Sequence, residues 1–387
     1  MKSEHNVPQV RFKGFTDAWE QREFGEVFVE YSEKNHEELP PLTIIQGKGT
    51  ILREESDRNL IYDKSGLKNY KLVNESDFIL HLRSFEGGLE VANSRGIVSP
   101  AYHIFHGENV DSRFYYPFFR SKYFISVLLK PHVYGIRDGK SIDVEGMKSI
   151  EIPCPTMEEQ QAIGDYFTQL DKVITLHQRK CDTLQKLKKS MLQKMFPKNG
   201  RLYPEIRFAG FTDAWEQREF SDFTFPAGEK NKKDLPLEPY AITNEHGFIA
   251  QSEAHDDFGY MQDVDRKMYI IVKPNSFAYN PARINVGSLG YYEGTKNVIV
   301  SSLYEVFQTV DDVDDIFLNQ WFKTKDFMDW IAKLQEGSVR QYFYYDKLCE
   351  CKMCMPSVEE QQQIGSYFRN LDNLITLHQR VALVYCK

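Results

Sequence analysis

The chain has 387 residues, of which 41% are hydrophobic and 27% are charged, and its formal net charge is −8. This length allows two or three domains, each able to bury a core. No run of about 18 apolar residues could span a bilayer, and Met1–Asn6 lacks the apolar segment of a signal peptide, so we expect a cytoplasmic protein without a membrane anchor. The negative charge argues against a wholly basic nucleic-acid binder, although it allows one basic face.

A near-exact repeat divides the chain. Residues 10–24 (VRFKGFTDAWEQREF) return at 206–220 with 13 of 15 positions identical. Residues 158–179 (EEQQAIGDYFTQLDKVITLHQR) return at 359–380 with 16 of 22 positions identical. The cassettes enclosed by these segments share almost no alignable sequence. A common frame around two unlike cassettes indicates that the frame makes one contact twice, while each cassette makes a contact of its own.

Each cassette is predicted to be a strand-rich α/β domain. In the first, short apolar runs such as Phe78–Leu80 alternate with turns rich in Asn, Asp, Ser and Gly. Asp111–Leu129 is predicted to be a helix that is interrupted at Pro117. In the second cassette, Ser276–Tyr279 has the pattern of a strand and Asp312–Leu334 that of the corresponding helix.

Arginines recur at equivalent places in the two cassettes. Arg83 and Arg283 each follow an apolar strand and precede a glycine-rich turn, and the segments His132–Lys140 and Gly337–Gln341 each follow the helix. Arginine can bind guanine or phosphate through two hydrogen bonds, and glycine lets a backbone approach a ligand closely; the alternative is an ion pair with a surface acid. The candidate DNA-contacting residues are Arg83, Arg137, Lys140, Arg283, Ser338, Arg340 and Gln341.

A long amphipathic helix is predicted after each cassette. Thr156 with Glu159, and Ser357 with Glu360, match the capping box of a first helical turn. Apolar residues then recur at alternating spacings of about 4 and 3, the seam of a coiled coil, which predicts that the two helices pack on each other. The two histidines of the seam are interpreted as hydrogen-bonded residues rather than metal ligands. The seam residues are Ile163, Phe167, Leu170, Ile174 and His177, and Ile364, Phe368, Leu371, Ile375 and His378.

The first long helix continues beyond the repeated segment. Residues 179–201 contain eight Lys or Arg against Asp182 alone. Such a stretch is either a solvated face or a strip that faces DNA phosphate or an acidic partner. The second copy diverges from Val381 onward. We therefore expect that the C-terminal half of the first helix has lost its partner or is covered by another chain.

The motifs that suggest catalysis or metal binding are incomplete. Gly135–Ser141 resembles a P-loop, but three residues rather than four separate its glycines. Asn280–Arg283 resembles the N-P-P-aromatic motif of amino-methyltransferases, but it lacks the second proline and the aromatic residue, so it is predicted to be a turn. Cys349, Cys351 and Cys354 have no defined fourth ligand and are interpreted as reduced thiols. These patterns favour a binding protein without a metal or catalytic site.

Over its whole length, the duplicated arrangement resembles the DNA-specificity subunit of type I restriction–modification systems. No single short motif is specific, but their order around unlike cassettes is. The resemblance is carried by Trp19–Phe24, by Pro155, Glu159, Gln160, Ile163, Leu170, Asp171 and Ile174, and by the copies Trp215–Phe220 and Pro356, Glu360, Gln361, Ile364, Leu371, Asp372 and Ile375.

The resemblance implies an α+β fold with a pseudo-two-fold internal repeat. Two α/β target-recognition domains would be separated by two long antiparallel helices that form a coiled coil. Accordingly, residues 1–153 are assigned to the first target-recognition domain and 154–200 to the central helix, the spacer. Residues 201–355 are assigned to the second target-recognition domain and 356–387 to a distal, shortened helix.

The resemblance also implies a non-catalytic subunit. Each recognition domain would read one half of a bipartite asymmetric site in double-stranded DNA, and the paired helices would set the spacing and dock the modification subunits. The implied partners are two modification subunits, which methylate adenine with S-adenosylmethionine, and two restriction subunits, motor-nucleases that use ATP and Mg. No cofactor is expected in this chain. The alternative is a non-catalytic coiled-coil adaptor that binds proteins, whose binding would lack the steep salt dependence of DNA binding.

Overall fold

The computed structural model describes residues 7–56, 64–80, 88–134, 141–198, 200–244, 247–254, 266–337 and 341–385. The chain forms two compact units, Met1–Val173 and Ile174–Lys387. The division falls inside the long helix Met157–Lys194. No helix among the described residues combines the length and the apolar character that a membrane crossing requires.

The first unit is an α/β domain. Its strands are β1 (Glu20–Glu23), β2 (Phe28–Tyr31), β3 (Leu42–Ile45), β4 (Gly49–Leu52), β5 (Lys71–Val73), β6 (Phe78–Leu80), β7 (Leu89–Val91), β8 (Gly96–Val98), β9 (His103–Gly107), β10 (Val133–Tyr134), β11 (Ser141–Ile142) and β12 (Glu151–Cys154). Its helices are α1 (Phe24–Val27), α2 (Ser112–Phe119) and α3 (Val144–Lys148), followed by α4 (Met157–Lys194), which runs on into the second unit. Four strands form an antiparallel sheet in the order β2-β9-β6-β7, and β3-β4, β5-β8, β10-β11 and β1-β12 form pairs.

The second unit repeats this plan. Its strands are β13 (Glu216–Glu219), β14 (Thr224–Pro226), β15 (Glu229–Lys230), β16 (Tyr240–Thr243), β17 (Gly247–Ala250), β18 (Ile270–Val272), β19 (Ser276–Tyr279), β20 (Leu289–Tyr292), β21 (Val298–Val300), β22 (Glu305–Thr309) and β23 (Lys352–Met355). Its helices are α5 (Phe220–Phe223), α6 (Gln251–Ala254), α7 (Asp315–Trp321), α8 (Lys325–Leu334), α9 (Tyr345–Cys349) and α10 (Val358–Tyr385). The main sheet has the order β14-β22-β19-β20, which matches β2-β9-β6-β7 strand for strand. Two cassettes without alignable sequence therefore share one topology.

The helical segment that follows each main sheet is divided in two, and neither division matches the predictions for Asp111–Leu129 and Asp312–Leu334. Pro117 lies inside α2, and the break comes after it, where Ser121 Oγ accepts a hydrogen bond from the Phe124 N–H. In the second unit the predicted single helix is divided into α7 and α8, and the Thr324 hydroxyl between them donates to the Trp321 carbonyl. The predicted break at Pro117 and the predicted continuous helix Asp312–Leu334 were both wrong, because hydroxyl side chains compete for backbone hydrogen bonds at these points.

Each unit buries a core of aromatic rings between its sheet and its helices. In the first unit, Phe24, Phe28, Phe78, Phe105 and Phe119 are each no more than 1% exposed. Their rings meet mainly edge to face at centroid separations near 5 Å, the arrangement that the ring quadrupole favours. The equivalent core of the second unit gathers Trp215, Phe220, Phe277, Phe307 and Phe317.

An arginine–glutamate pair joins the start of each repeat to the start of its long helix. Arg11 Nε and Nη2 donate to the two carboxylate oxygens of Glu159 at 2.6 and 2.7 Å, and Trp19 Nε1 donates to the same carboxylate at 3.0 Å. Arg207 binds Glu360 in the same bidentate way, at 2.7 Å for each bond. Both glutamate side chains are only 1% exposed. These contacts explain why the same Arg and Glu stand in both copies of the frame, since a buried carboxylate requires a partner.

The same pair explains a difference from the predicted capping box. The Thr156 hydroxyl accepts from the Glu159 N–H at 3.4 Å, as the box predicts. The Glu159 carboxylate, however, binds Arg11 rather than returning to the backbone at the start of the helix. A charged partner in a buried position outweighs the weaker local hydrogen bond.

The glutamine after each of these glutamates ties the long helix to the recognition domain. Gln160 Nε2 donates to the Pro155 carbonyl at 2.9 Å, and its Oε1 accepts from the Asp111 N–H at 3.0 Å. Gln361 makes the equivalent contacts, including one from the Asp314 N–H at 2.9 Å. Asp111 and Asp314 cap α2 and α7. The glutamine therefore fixes the first helix after each main sheet against the long helix.

In the second unit, α10 packs antiparallel to the part of α4 that belongs to this unit. His177 Nδ1 lies 2.7 Å from His378 Nδ1, which confirms the prediction of hydrogen-bonded seam histidines. Further along α4, Lys188 Nζ lies 2.5 Å from Asp372 Oδ1. The contacting residues of α10 therefore have lower numbers as those of α4 have higher numbers, as in an antiparallel helix pair. The two histidines are equivalent positions of the repeat, and a local two-fold axis of this helix pair therefore passes between them.

The expectation that the C-terminal half of α4 lacks a partner within the chain was wrong. Cys181, Leu184, Met195 and Phe196 are buried in the core of the second unit, with exposures of 3 to 8%. The residues that continue the first helix beyond the repeat thus pack on the second domain and on α10.

Candidate DNA interface

Three loops of the second unit converge at one end of its sheet. One joins β16 to β17, one joins β19 to β20, and the third follows α8. A Cβ placed on Gly287 would lie 2.2 Å from Asn244 Oδ1, so the first two loops touch. The Phe343 N–H donates to the Pro281 carbonyl at 3.1 Å, which joins the third loop to the second. Loops that brace each other in this way hold their exposed side chains in fixed positions.

Arg283 is exposed on the second of these loops. The Asn280 side chain accepts from the Ala282 N–H at 3.0 Å, and the Asn280 carbonyl accepts from the Arg283 N–H at 2.9 Å, so the predicted turn is confirmed. Gly287 ends the loop at φ 88°, a conformation that favours glycine. None of the described residues forms an ion pair with the Arg283 guanidinium, which leaves its donors available to a ligand.

The third loop carries an exposed amide side chain and two stacked aromatic rings, and it contacts the loop that holds Arg283. Glu336 and Tyr342 exchange backbone hydrogen bonds of 2.8 and 2.7 Å, which form an antiparallel bridge at the base of this loop. Gln341 is exposed next to this bridge. The rings of Tyr342 and Tyr344 stack at 5.6 Å with an interplanar angle of 5°, and Tyr344 is 45% exposed. Arginine, glutamine and asparagine are the side chains that read guanine and adenine in the major groove.

In the first unit, the turn between β3 and β4 is held by a buried carboxylate. Glu90 accepts hydrogen bonds from the N–H groups of Gly47 and Gly49 at 2.9 and 3.2 Å. It also accepts from the Tyr116 hydroxyl at 2.7 Å and pairs with Arg120. Burial, together with the hydrogen bond to Glu90, raises the pKa of Tyr116. This network makes the turn a rigid support for the residues at its tip.

The structure indicates further contact candidates that the sequence analysis missed. Gln46 and Lys48 are exposed at the tip of the β3-β4 turn, and Asn285 is exposed between Arg283 and Gly287. The signal for the first two was the sequence Gln-Gly-Lys-Gly between two apolar runs, which is typical of a hairpin turn. No equally local signal marks Asn285.

Five of the seven predicted DNA-contacting residues lie outside the described residues. The other two, Arg283 and Gln341, lie on the neighbouring loops described above. In the first unit, the paired strands β10 and β11 flank residues 135–140, as the bridged residues Glu336 and Tyr342 flank residues 337–341. A DNA contact by any of the seven stays a prediction. The five are Arg83, Arg137, Lys140, Ser338 and Arg340.

The basic stretch of α4 divides into paired and solvated residues. Lys188 pairs with Asp372 at 2.5 Å, and Lys198 pairs with Glu205 at 3.3 Å. The remaining cations are spread over the outer side of the helix and its continuation, while the apolar residues face the core. The exposed cations are Arg179, Lys180, Lys186, Lys189, Lys194 and Arg201.

The cysteines near the end of the second cassette are free thiols. Cys351 Sγ donates to the Lys347 carbonyl at 3.5 Å, and Cys354 Sγ donates to the Arg201 carbonyl at 3.3 Å. Burial raises the pKa of Cys351 to about 12, so its thiol stays protonated at neutral pH. Within the part of the chain that the structure describes, no three His, Cys, Asp or Glu side chains are placed to hold a metal ion.

Comparison with protein families gives a match over part of the chain. Residues 17–186 match the type I restriction modification DNA specificity domain. The specificity subunit of the type I restriction enzyme MjaVIII from Methanocaldococcus jannaschii is 21% identical over 337 residues, which are 80% of this chain and 75% of that protein.

Solved structures agree in fold. The S subunit of a type I restriction–modification system from M. genitalium superposes with a TM-score of 0.57 at 12% identity, covering 98% of this chain and 96% of that one. A chain from a structure of type I restriction–modification complex assembly and conformational transition superposes with a TM-score of 0.51 at 14% identity, covering 98% and 95%. The predicted α+β fold class is confirmed.

Proposed function

We propose, from the premise that this chain belongs to the specificity-subunit family of type I restriction–modification systems, that it recognises a bipartite DNA sequence with its two domains. The observation that carries this proposal is the convergence of Arg283 and Gln341 on braced, exposed loops of the second unit. Arg283 has no acidic partner among the described residues, so a guanine edge or a phosphate can take its donors. A bidentate contact of this kind discriminates against a wrong base by about 1–3 kcal/mol.

Each domain would read a different half of the site. The two units have the same strand order, but their loops differ in sequence and in support: a buried Glu90 holds the turn in the first unit, whereas an Asn244–Gly287 contact joins the loops in the second. A shared scaffold that carries unlike loops suits two readers of unlike sequences. The repeated long helices would set the distance between the half-sites.

The chemistry would belong to partner subunits. Two modification subunits would methylate adenine with S-adenosylmethionine, and two restriction subunits would use ATP and Mg to cleave unmodified DNA. This chain would bind no cofactor of its own. Its contribution would be to position DNA for the modification subunits.

The outer side of the long helices is the surface we assign to docking of the modification subunits. Most of the predicted seam of α10 is buried within the second unit and cannot meet another chain. Leu374 and Leu377 of α10 are 43% and 56% exposed, and Leu176 of α4 is 63% exposed. Exposed leucines at repeat-related positions, Leu176 and Leu377, suit two copies of one partner. The buried seam residues are Ile364 (2% exposed), Phe368 (0%), Leu371 (6%) and Ile375 (9%).

Mapping methylated adenines in cells that carry this chain with its modification subunit tests the recognition proposal. We expect a two-part motif with a fixed gap. Arg283→Ala or Gln341→Ala should relax one half of the motif and leave the other unchanged, because both side chains belong to the second unit. Lys273→Ala, at an exposed lysine that pairs with Glu229, is the matched control and should leave the motif intact. A single contiguous motif, or equal relaxation of both halves, would refute the proposal.

Two binding measurements complete the test. Affinity of the assembled complex for duplex DNA should fall steeply with rising salt, and salt-independent binding would favour the protein adaptor instead. Leu377→Arg should weaken co-purification of the modification subunit, whereas Gln379→Arg, at an exposed position on another side of α10, should not. Equal retention of the modification subunit by both variants would contradict docking through Leu377.

A further inference from the structure

Phe196 fills an aromatic cradle in the second repeat. Its ring centroid lies 6.2 Å from that of Trp215, 5.3 Å from that of Phe317 and 6.2 Å from that of Phe368. These three walls are between 0% and 1% exposed, and Phe196 itself is 4% exposed. Met195, the adjacent residue, is 3% exposed in the same core. The end of α4 therefore closes the second domain.

The first repeat carries the counterparts of the same three walls. Trp19 is the counterpart of Trp215 in the repeated frame, and Phe167 is the counterpart of Phe368 in the repeated helix. Phe114 follows the α2 cap by three residues, as Phe317 follows the α7 cap. Trp19 and Phe114 meet edge to face at 5.6 Å, much as their counterparts do at 5.9 Å. We call Trp19, Phe114 and Phe167 the first cradle.

The first cradle lacks the ring that fills the second. Among the described residues, no aromatic side chain makes the contacts to Trp19, Phe114 and Phe167 that Phe196 makes in the second repeat. Phe167 is 38% exposed, whereas Phe368 is fully buried. Ile163 is likewise half-buried where Ile364 is 2% exposed. The chain's own Met195–Phe196 segment is already used in the second repeat.

A charge four residues after Phe167 on the same helix is also unmatched. Asp372 pairs at 2.5 Å with Lys188 of α4, eight residues before Phe196. Its counterpart Asp171 has no ion pair with any residue that the structure describes. Partial desolvation without a neighbouring cation raises the pKa of Asp171. The first repeat thus lacks both the ring and the lysine that one helix supplies to the second.

We propose that the first cradle is a docking site for a basic amphipathic helix of a partner chain that is followed directly by adjacent Met and Phe side chains. The partner Phe enters between Trp19, Phe114 and Phe167, and a lysine about eight residues earlier pairs with Asp171. The geometry is the one that Leu184–Phe196 already shows in the second repeat. An apolar side chain on this helix also covers Ile163.

The test uses the full chain and a fluorescein-labelled peptide with the sequence of residues 184–197 (LQKLKKSMLQKMFP). Fluorescence anisotropy should show saturable binding. Replacing the phenylalanine of the peptide by alanine, or introducing Phe167→Lys in the chain, should weaken binding about ten-fold or more, since one buried aromatic contact is lost. Phe167→Lys also shows whether the peptide binds the first cradle or the cradle of the second repeat, because Phe167 is not part of the cradle formed by Trp215, Phe317 and Phe368.

Charge reversal gives a sharper readout. Asp171→Lys in the chain should weaken binding of the basic peptide, and a peptide carrying Lys188→Glu should restore it. Gln169→Lys is the matched control, because Gln169 is exposed on a different side of the same helix. It also introduces a lysine, with a charge change of +1 where Asp171→Lys gives +2, but should leave binding of the peptide unchanged.

Three outcomes would overturn the proposal. The first is the absence of saturable binding, and the second is binding that Phe167→Lys does not change. The third is a concentration-dependent dimer of the unliganded chain, seen by sedimentation, that Phe167→Lys dissociates, because the cradle would then belong to a second copy of the chain. Rescue of Asp171→Lys by the Lys188→Glu peptide, together with the loss caused by Phe167→Lys, supports the proposal.

Discussion

The internal repeat allows one substitution to be compared at two equivalent positions. Phe167 and Phe368 occupy the same place in the two copies of the long helix, each four residues after the isoleucine of the shared Ile-Gly pair at 163–164 and 364–365. Phe368 is fully buried, whereas Phe167 is 38% exposed. Replacing each by alanine removes the same atoms from two different surroundings.

The magnitudes follow from burial. Phe368→Ala should lower the free energy of unfolding of the second unit by about 3–5 kcal/mol, because it loses the transfer free energy of a buried ring and leaves a cavity beside Phe196. Phe167→Ala should cost the first unit only about 1–2 kcal/mol, because part of its ring is already in water and solvent fills the vacated space. The predicted difference is about 2 kcal/mol or more.

Hydrogen exchange read by mass spectrometry over a urea series is the suitable assay. It follows peptides of the two units separately, whereas a single two-state free energy is not defined for a chain of two domains. The second unit of Phe368→Ala should lose protection at lower urea than the first unit of Phe167→Ala. Equal losses would refute the argument that Phe196 covers only the second copy. A binding partner of the first cradle should enlarge the effect of Phe167→Ala.

Three further outcomes are expected. Glu159→Ala should lower the melting temperature of the first unit, because it leaves the half-buried Arg11 guanidinium and the Trp19 indole N–H without their carboxylate acceptor. Gly365→Ala should lower the melting temperature although alanine is the better helix former, because its Cβ would lie 2.7 Å from Asp314 Oδ1. Cys351 should react slowly with iodoacetamide at pH 8, since burial raises its pKa to about 12; the stability that its neutral thiol contributes should be lost as pH rises from about 9 towards that value.

Each of these outcomes has an internal control. Glu158→Ala removes an exposed carboxylate from the same helical turn and should change stability little. Ser366→Ala, at an exposed position next to Gly365, should be neutral or slightly stabilising. Cys349 is only half-buried and should be alkylated before Cys351. A loss of stability in Glu158→Ala equal to that in Glu159→Ala would contradict the role given to the buried pair.

Local sequence signals predicted much of the fold. The hydroxyl of Thr156 receives the expected capping hydrogen bond, and the spacing of the seam placed His177 against His378. The repeated frame carried the family resemblance, which agrees with the domain match over residues 17–186. These features depend on residues within one or two helical turns of each other, or on the phase of one helix, and a sequence states both directly.

Side-chain partners across long sequence separations were not predictable in the same way. The Glu159 carboxylate binds Arg11, which is 148 positions away, in preference to its own helix terminus. The readout loops show the same limit, since the contact between Phe343 and Pro281 that brings Gln341 towards Arg283 leaves no local pattern. Such pairings depend on the whole path of the chain between the two residues.

What the sequence determined by itself was the duplicated order of frame, cassette and helix, because near-identical segments fold alike. Only the tertiary structure decided what covers the helix beyond the repeat. Periodicity predicts that Leu184, Met195 and Phe196 pack against an apolar surface. It does not show whether that surface belongs to the same chain or to another chain, because either one would bury the same side chains. The structure places these residues in the second unit and leaves Phe167 exposed in the first. The unmatched surface therefore lies in the first repeat rather than at the end of the long helix.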